Sequence, residues 1–427
     1  MEYILFGSFI ILLVLNVPIA ISLGMAGIIA LVFGDMPTPP LLIAQRMFTS
    51  LDSFPFMAIP FFMLAGGFME QGGMSRRLVN FAQAIVGSLK GGLGIITIVS
   101  SAFFAALSGS NPATVAAIGS IMIPAMIKAG YPMSFAAAVA AAGGTLGVVI
   151  PPSIPMVTYG VVTNTSIGDL FIGGMIPGIL LAMSLIVVVI WKAHALNLPR
   201  GERSSFRKLW ETGREAILAL FMPLIILGGI YGGVFTPTEA AAVAVVYAFI
   251  VGVFIFKEID LERTIQIILK ASVNTAVVFF VIATSSSFSW LLTSLQIPEK
   301  VAAAMLEVSQ NPFVIILFLN VVLLFLGSIL ETQAIILLVT PIIFPLAQQL
   351  GIHPIVLGIL IVVNTSIGMI TPPMAVNLFV ACSLTGLTIE KMSRSILVFL
   401  AAELVTLLLI SNVPSLSLGL LNLLKGS

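Results

Sequence analysis

Apolar runs about twenty residues long recur from one end of this chain to the other, with only short polar connections between them. A hydrocarbon core about 30 Å thick takes roughly 20 helical residues to cross, and a helix satisfies its backbone within one segment. Of 427 residues, 59% are hydrophobic and 8% charged, whereas a soluble chain carries about 25% charged residues. A soluble fold is excluded, and an all-α polytopic membrane protein is predicted. The first 33 residues hold Glu2 as their one charge and lack the basic start of a signal peptide, so they count as structure. They form either one tilted helix or two short pieces broken at Asn16 and Pro18, and each choice puts the N-terminus on a different side. A net charge of +1 gives no reason to propose nucleic acid. Cys382 is the single cysteine and reads as packing, and His194 and His353 are too isolated to bind a metal.

The chain also repeats itself. Gly147-Val-Val-Ile-Pro151-Pro152 recurs as Gly368-Met-Ile-Thr-Pro372-Pro373. At the same offset of 221 residues Pro124 falls on Pro345, Gly130 on Gly351 and Asp169 on Glu390. Each copy reads as a span (18–33, 239–256), a peripheral stretch (37–50, 257–271), a span (54–72, 273–293) and an amphipathic peripheral helix (74–90, 297–311). In the first amphipathic helix Leu78, Phe81, Ala82, Ile85 and Leu89 make the apolar stripe; in the second, Val301, Met305 and Val308 do. Next come apolar runs too short to cross singly, about 24 Å each if helical. Those at 92–107 and 113–129 flank Ser108-Gly-Ser-Asn-Pro112, and their counterparts at 313–349 flank Gly327-Ser-Ile-Leu-Glu-Thr-Gln333. Each pair reads as a re-entrant hairpin, followed by a helix broken at its Pro-Pro.

The predicted units are a first repeat over 1–191 (hairpin about 92–129, broken helix about 134–168), a linker over 192–215, and a second repeat with a connecting helix over 216–427 (hairpin about 313–349, broken helix about 354–383). Five crossings separate Gly147 from Gly368, so the second repeat is inverted. The linker is basic, with Arg203 and Glu202 among its charges, and the positive-inside tendency puts it in the cytoplasm.

Proline lacks an amide hydrogen and disfavours helix at the preceding residue, so both Pro-Pro pairs interrupt spans and free carbonyls. Such oxygens, joined by hydroxyl and amide oxygens of a facing hairpin tip, suit a small hard cation. Two sodium sites are expected. One combines Ser108, Ser110 and Asn111 with backbone near Gly144, Gly147 and Ile150; the other combines Gly327, Glu331 and Thr332 with Thr365, Gly368, Thr371 and Met374. Helix N-termini directed at the same region suit a substrate carboxylate, with Thr145, Ser153, Asn364 and Asn377 as side-chain donors. Glu331 is the sharpest single residue, because a carboxylate inside a span is costly; it reads as a cation ligand, a proton carrier or a helix cap. Glu239 reads as a helix N-terminal charge and Glu403 as a packing residue.

The run from Phe54 to Gly73, Phe-Pro-Phe-Met-Ala-Ile-Pro-Phe-Phe-Met-Leu-Ala-Gly-Gly-Phe-Met-Glu-Gln-Gly-Gly, with Ser108-Gly-Ser-Asn-Pro112 and both Pro-Pro breaks, resembles the large membrane subunit of TRAP transporters. The wording is most similar to the sialic-acid branch. That resemblance implies an inner-membrane symporter of the elevator type for a small organic acid. It also implies a periplasmic substrate-binding protein and a small four-helix membrane subunit, expected as a separate chain. A stand-alone sodium- or proton-coupled carboxylate carrier would share the architecture but need no binding protein. A membrane-embedded enzyme would need a catalytic set, and none is visible. Discontinuous inverted helices favour alternating access over a channel.

Overall fold

A computed structural model describes residues 1–34, 38–87, 89–200, 205–372 and 375–426. Glu202, Arg203, Pro373 and Met374, all named above, lie outside them, as does the start of the stretch at 37–50. Among the described residues the chain is helical, and its one β-type pairing is an isolated bridge between Lys90 and Arg200. Among the described residues seven helices are long and apolar enough to cross a membrane, and a bent pair makes an eighth. Five of the seven lie in sequence between the two hairpins: Met133–Thr163, Ile167–Ala195, Phe206–Tyr231, Pro237–Ile255 and Leu261–Ser294.

The N-terminal segment is two pieces. Glu2–Val14 and Ile19–Phe33 pack along each other, and the Met1 side chain lies beside Gly34, so the chain folds back on itself at Asn16. Asn16 takes the left-handed conformation (φ 61°), which asparagine tolerates better than most side chains, and Pro18 opens the second helix. Glu2 pairs with Lys300, which fixes the N-terminus beside the helix Ile297–Val308.

One expected symmetry fails. In the first half Leu41–Leu51 and Phe54–Gln71 meet at a bend of 69°. In the second half the stretch at 257–271 is no separate peripheral element, because a single helix of 34 residues runs from Leu261 to Ser294. The physical difference is Pro55, whose ring fixes the break behind Asp52 and Ser53; no proline interrupts 261–294. The boundaries drawn at 191 and 216 both fall inside helices, Ile167–Ala195 and Phe206–Tyr231. The buried face of the helix Met74–Val86 is Met74, Leu78, Val79 and Ala82, whereas Ile85 and Leu89 of the expected stripe point outward.

The first hairpin consists of Gly92–Ser108 and Asn111–Lys128, and the second of Pro312–Gly327 and Thr332–Gln349. Met133–Gly144 packs on both arms of the first, and Pro354–Gly368 on both arms of the second. Around them Leu261–Ser294 packs against Ile19–Phe33, Leu41–Leu51, Ala58–Gln71 and the arm Thr332–Gln349. At one end of the bundle Arg76 and Arg77 bond Glu258 (2.9 and 2.7 Å), Arg77 stacks on Phe256, and Lys90 bonds Asn197 of the linker. At the other end Lys425 pairs with Asp169 at 2.7 Å.

Candidate functional site

The glycine that precedes each break lies against the hairpin tip of its own half. A Cβ on Gly147 would lie 2.7 Å from the Ser110 carbonyl carbon and 2.8 Å from the Asn111 nitrogen, and one on Gly368 would lie 2.5–2.6 Å from Gly327 backbone. Real side chains do not approach backbone so closely, so at these two positions backbone meets backbone. A Cβ on Gly327 would in turn lie 3.1 Å from the Thr365 carbonyl oxygen, and one on Gly144 would lie 3.3 Å from the Asn111 carbonyl oxygen. Gly109 turns the first tip with φ 58°, a conformation glycine adopts without strain.

At the first tip every polar side chain but one is engaged. Asn111 is fully buried; its Oδ1 accepts the Val148 amide (2.9 Å), and its Nδ2 donates to Ser366 Oγ (2.7 Å) and approaches Met369 Sδ (3.3 Å). Ser108 Oγ lies 3.0 Å from Thr114 Oγ1, which donates to the Ser110 carbonyl at 2.8 Å. At this tip the Ser110 hydroxyl has no partner among the described residues, and it lines a cavity. Ile150 packs on Gly178 of the next helix. At the second tip Thr332 Oγ1 reaches only Met369 Sδ, at 3.7 Å. Thr365 and Thr371 turn their hydroxyls back to carbonyls of their own helix, those of Ile361 and Ile367. Glu331 occupies the cap position of Thr332–Gln349, yet its side chain accepts no amide there, so the capping alternative is not realised. Met374 lies outside the described residues.

The tips converge on Met369. A small cavity of about 50 Å³ between them is lined by Ser110, Asn111, Glu331, Thr332 and Met369. Both second arms begin there, so two helix N-termini face it. The four donors expected for substrate are elsewhere. Thr145, Ser153, Asn364 and Asn377 are fully buried, and none lines the cavities at the tips. Ser153 caps its helix through the Met156 amide, Asn364 donates to Asn320, and Asn377 donates to the Ala141 carbonyl.

Thr145 holds the two halves together. Its carbonyl accepts from Ser366 Oγ (2.6 Å), and Ser366 stands 221 residues further on, so equivalent positions of the two copies meet. The Thr145 hydroxyl lies 2.6 Å from Glu403 Oε1 and 2.7 Å from the Ala142 carbonyl oxygen. Glu403 is therefore more than packing. It is fully buried and hydrogen-bonded at the centre, with Oε2 unpartnered among the described residues. Glu239, in contrast, is a helix-start charge closing a capping box with Thr236.

Residues 6–416 match the DctM component of the tripartite ATP-independent periplasmic transporters. The chain belongs to this family. It is 44% identical over 406 residues to the C4-dicarboxylate TRAP transporter large permease protein DctM of Pseudomonas aeruginosa, covering 95% of each chain. It is 38% identical over 387 residues to the sialic acid TRAP transporter large permease protein SiaM of Vibrio cholerae, covering 90% of each. Among solved structures the YdaH transporter of Alcanivorax borkumensis shares its fold, with a TM-score of 0.67 at 16% identity over 89% of this chain and 90% of that one. The permease is thus a multi-helix component of a bacterial inner-membrane transport system and not an enzyme.

Two larger crevices flank the tips of this permease. One, about 480 Å³, lies among Ser110, Ala116, Glu70, Lys270, Asn274 and Glu331. It opens beside Glu70 and Gln71, next to Arg76 and Glu258, hence at the end of the bundle where Lys90 meets the linker. The other, about 360 Å³, lies at the opposite end of the same interface, among Ser50, Phe56, Thr163, Ser289, Leu337 and Pro345. Ala116 and Leu337 are equivalent positions of the repeat, one in each crevice. Lys270, Asn274, Ser366 and Met369 were not singled out in the sequence. A lysine and an asparagine four apart inside an apolar helix are the signal that could have found the first two.

Proposed function

We propose that this permease performs sodium-coupled uptake of a small organic acid. The acid is handed over by a periplasmic binding protein, and a small membrane subunit, as a separate chain, completes the complex. In this reading hairpins and broken helices move as one body against Leu261–Ser294 and Ala58–Gln71. The observation that carries it is the pair of glycine-mediated backbone contacts, Gly147 on Ser110 and Gly368 on Gly327, which binds each break to its tip. A crevice at each end of the interface between this body and the surrounding helices supports alternating exposure.

The donor set fits sodium. It is built from hard oxygens: the free Ser110 hydroxyl, carbonyls of Gly147 and Val148 that Pro151 and Pro152 cannot bond, and the Glu331 carboxylate, which has no partner among the described residues. Ser108 and Asn111 belong to the first cradle by position, although Asn111 mainly ties tip to break. Gly327, Thr332, Thr365 and Gly368 form the second cradle. Bound cations supply positive charge beside the two helix N-termini, so an anionic substrate binds only when the cradles are filled. Ser110, Thr332 and the amides of both second arms then hold the carboxylate.

The substrate order follows the relatives. The sequence reading put sialic acid first, but higher identity to a C4-dicarboxylate permease moves a C4-dicarboxylate ahead of it. The test is uptake of labelled succinate and sialic acid into proteoliposomes holding this chain and its small partner. Cognate binding protein is added outside, and inward sodium and potassium gradients are compared. Accumulation driven by sodium alone and dependent on the binding protein is expected. Uptake without the binding protein would establish the stand-alone carrier, and uptake indifferent to sodium would transfer the coupling role to a proton.

A further inference from the structure

The crevice at the linker end holds a feature that the sodium cradles leave unused. One wall is Ile267, Lys270, Ala271 and Asn274 of Leu261–Ser294, a helix on which Arg263, Gln266, Lys270 and Asn274 recur at helical spacing and form one polar stripe that reaches the crevice at Lys270. The stripe changes character along its length. Arg263 is engaged with the Glu258 carbonyl (2.6 Å) and Gln266 with Glu262 (3.3 Å), whereas no ion pair among the described residues involves Lys270. Lys270 is the last charge on this helix, and among the described lining residues it is the crevice's single cation. Arg76 and Arg77, the other cations near the mouth, are both bonded to Glu258.

We infer that Lys270, with Asn274 one turn further in, is a carboxylate-binding station in the linker-side crevice, met by substrate as it leaves the hairpin tips. This rests on the functional reading above and names the residue that this site lacked, a side-chain cation for an anionic cargo. The chemistry is specific. A lysine ammonium donates up to three hydrogen bonds, Asn274 adds an amide donor, and both sit on a helix outside the moving body. The station is therefore fixed while the tips move, and it is presented only when they open toward the linker. Its ligand class is a small organic acid with a carboxylate free at the end remote from the tips, so a dicarboxylate gains more from it than a monocarboxylate. Glu70 and Glu331 share the crevice; they repel an anion that strays from Lys270, and sodium at Glu331 removes part of that repulsion.

The test uses the complete permease complex in vesicles of known orientation. Half-saturating concentrations are measured from each face for succinate and for its monoamide, succinamate, with Lys270→Gln, Lys270→Arg and the double variant Lys270→Gln with Glu70→Gln. Lys270→Gln is expected to raise the succinate value from the linker face about tenfold, the loss of one charge-assisted contact. From the other face the value stays unchanged, and sodium dependence and melting temperature do not move. Succinamate is expected to lose about twofold or less, and Lys270→Arg to recover most of the succinate affinity. An unchanged linker-face value in an active Lys270→Gln permease overturns the inference. So does full recovery in the double variant, which would reduce Lys270 to a counter-charge for Glu70. If the wild-type complex carries neither succinate nor sialic acid, the functional reading itself falls and this one with it, a result distinct from either of the others.

Discussion

The two hairpin tips occupy equivalent places in the repeat, and they are held very differently. At the first, Asn111 ties tip to break and to the opposite half through Val148, Ser366 and Met369. At the second, Thr332 in the equivalent position makes one weak contact to sulfur, and Glu331 beside it makes none among the described residues. The arms differ in the same sense. Gly92–Ser108 is buried along most of its length, whereas Pro312–Gly327 exposes Phe313, Phe318, Val321 and Phe325. One tip is a clamp assembled by the protein alone. The other leaves its polar groups for a ligand to satisfy, so ligand-dependent ordering belongs to the second half. A buried amide that is fully bonded rigidifies its surroundings, and a free carboxylate inside a membrane protein calls for a partner.

The strongest way to break this comparison is to separate a tip from its break. Gly147→Ala and Gly368→Ala force a methyl into backbone and should each cost about 3 kcal/mol, abolishing uptake and sharply lowering the melting temperature. Gly228→Ala, with nothing within 4 Å of the added carbon, should leave both intact. If Gly147→Ala alone is tolerated, the first tip is not a clamp. Next in size is Asn111→Ala, which removes the acceptor of the Val148 amide and one donor to Ser366 Oγ, and should cost about 2 kcal/mol with or without sodium. Thr332→Ala should cost below about 0.5 kcal/mol in thermal melts and act on the sodium dependence of uptake instead. Equal melting losses for the two would erase the asymmetry. Glu331→Gln sharpens the contrast further: stability without sodium is expected to stay within about 0.5 kcal/mol, while sodium-dependent thermal stabilisation is lost. The smallest effect is expected at the far end of the bundle, where Lys425→Ala breaks a partly exposed pair to Asp169 worth about 0.5 kcal/mol, measured by melting at low and high salt.

Much of the fold is legible in the chain because hydrophobic spacing and proline act locally. The runs at 92–129 and 313–349 and the breaks at Pro151-Pro152 and Pro372 are visible wherever a short apolar run meets a residue that cannot donate. The unbroken helix over 261–294 is legible too, since nothing in it breaks a helix; symmetry with the bend at Pro55 points the other way. The tip residues Ser110, Asn111, Glu331 and Thr332 were found from polarity at membrane depth, and the structure brings them round one cavity. Thr145 and Asn377 were drawn from the same polarity, yet the structure uses them to join elements. A buried hydroxyl or amide looks alike in sequence whether it faces a ligand or a neighbouring helix. Lys270 is hidden for the opposite reason: it falls in the peripheral stretch predicted at 257–271, before the span at 273–293.

By itself the sequence determined that this chain lies in a membrane, that it is written twice, and where each copy must break, because burial of apolar surface and the missing proline amide depend on composition and spacing alone. Only the tertiary structure decided that the N-terminal pieces fold back, that Thr145 and Ser366 meet where the copies join, and that Lys270 faces the hairpin tips across a crevice. The first turns on Asn16 adopting the left-handed conformation, and the other two on which helix faces meet between segments far apart in the chain, which no local pattern carries.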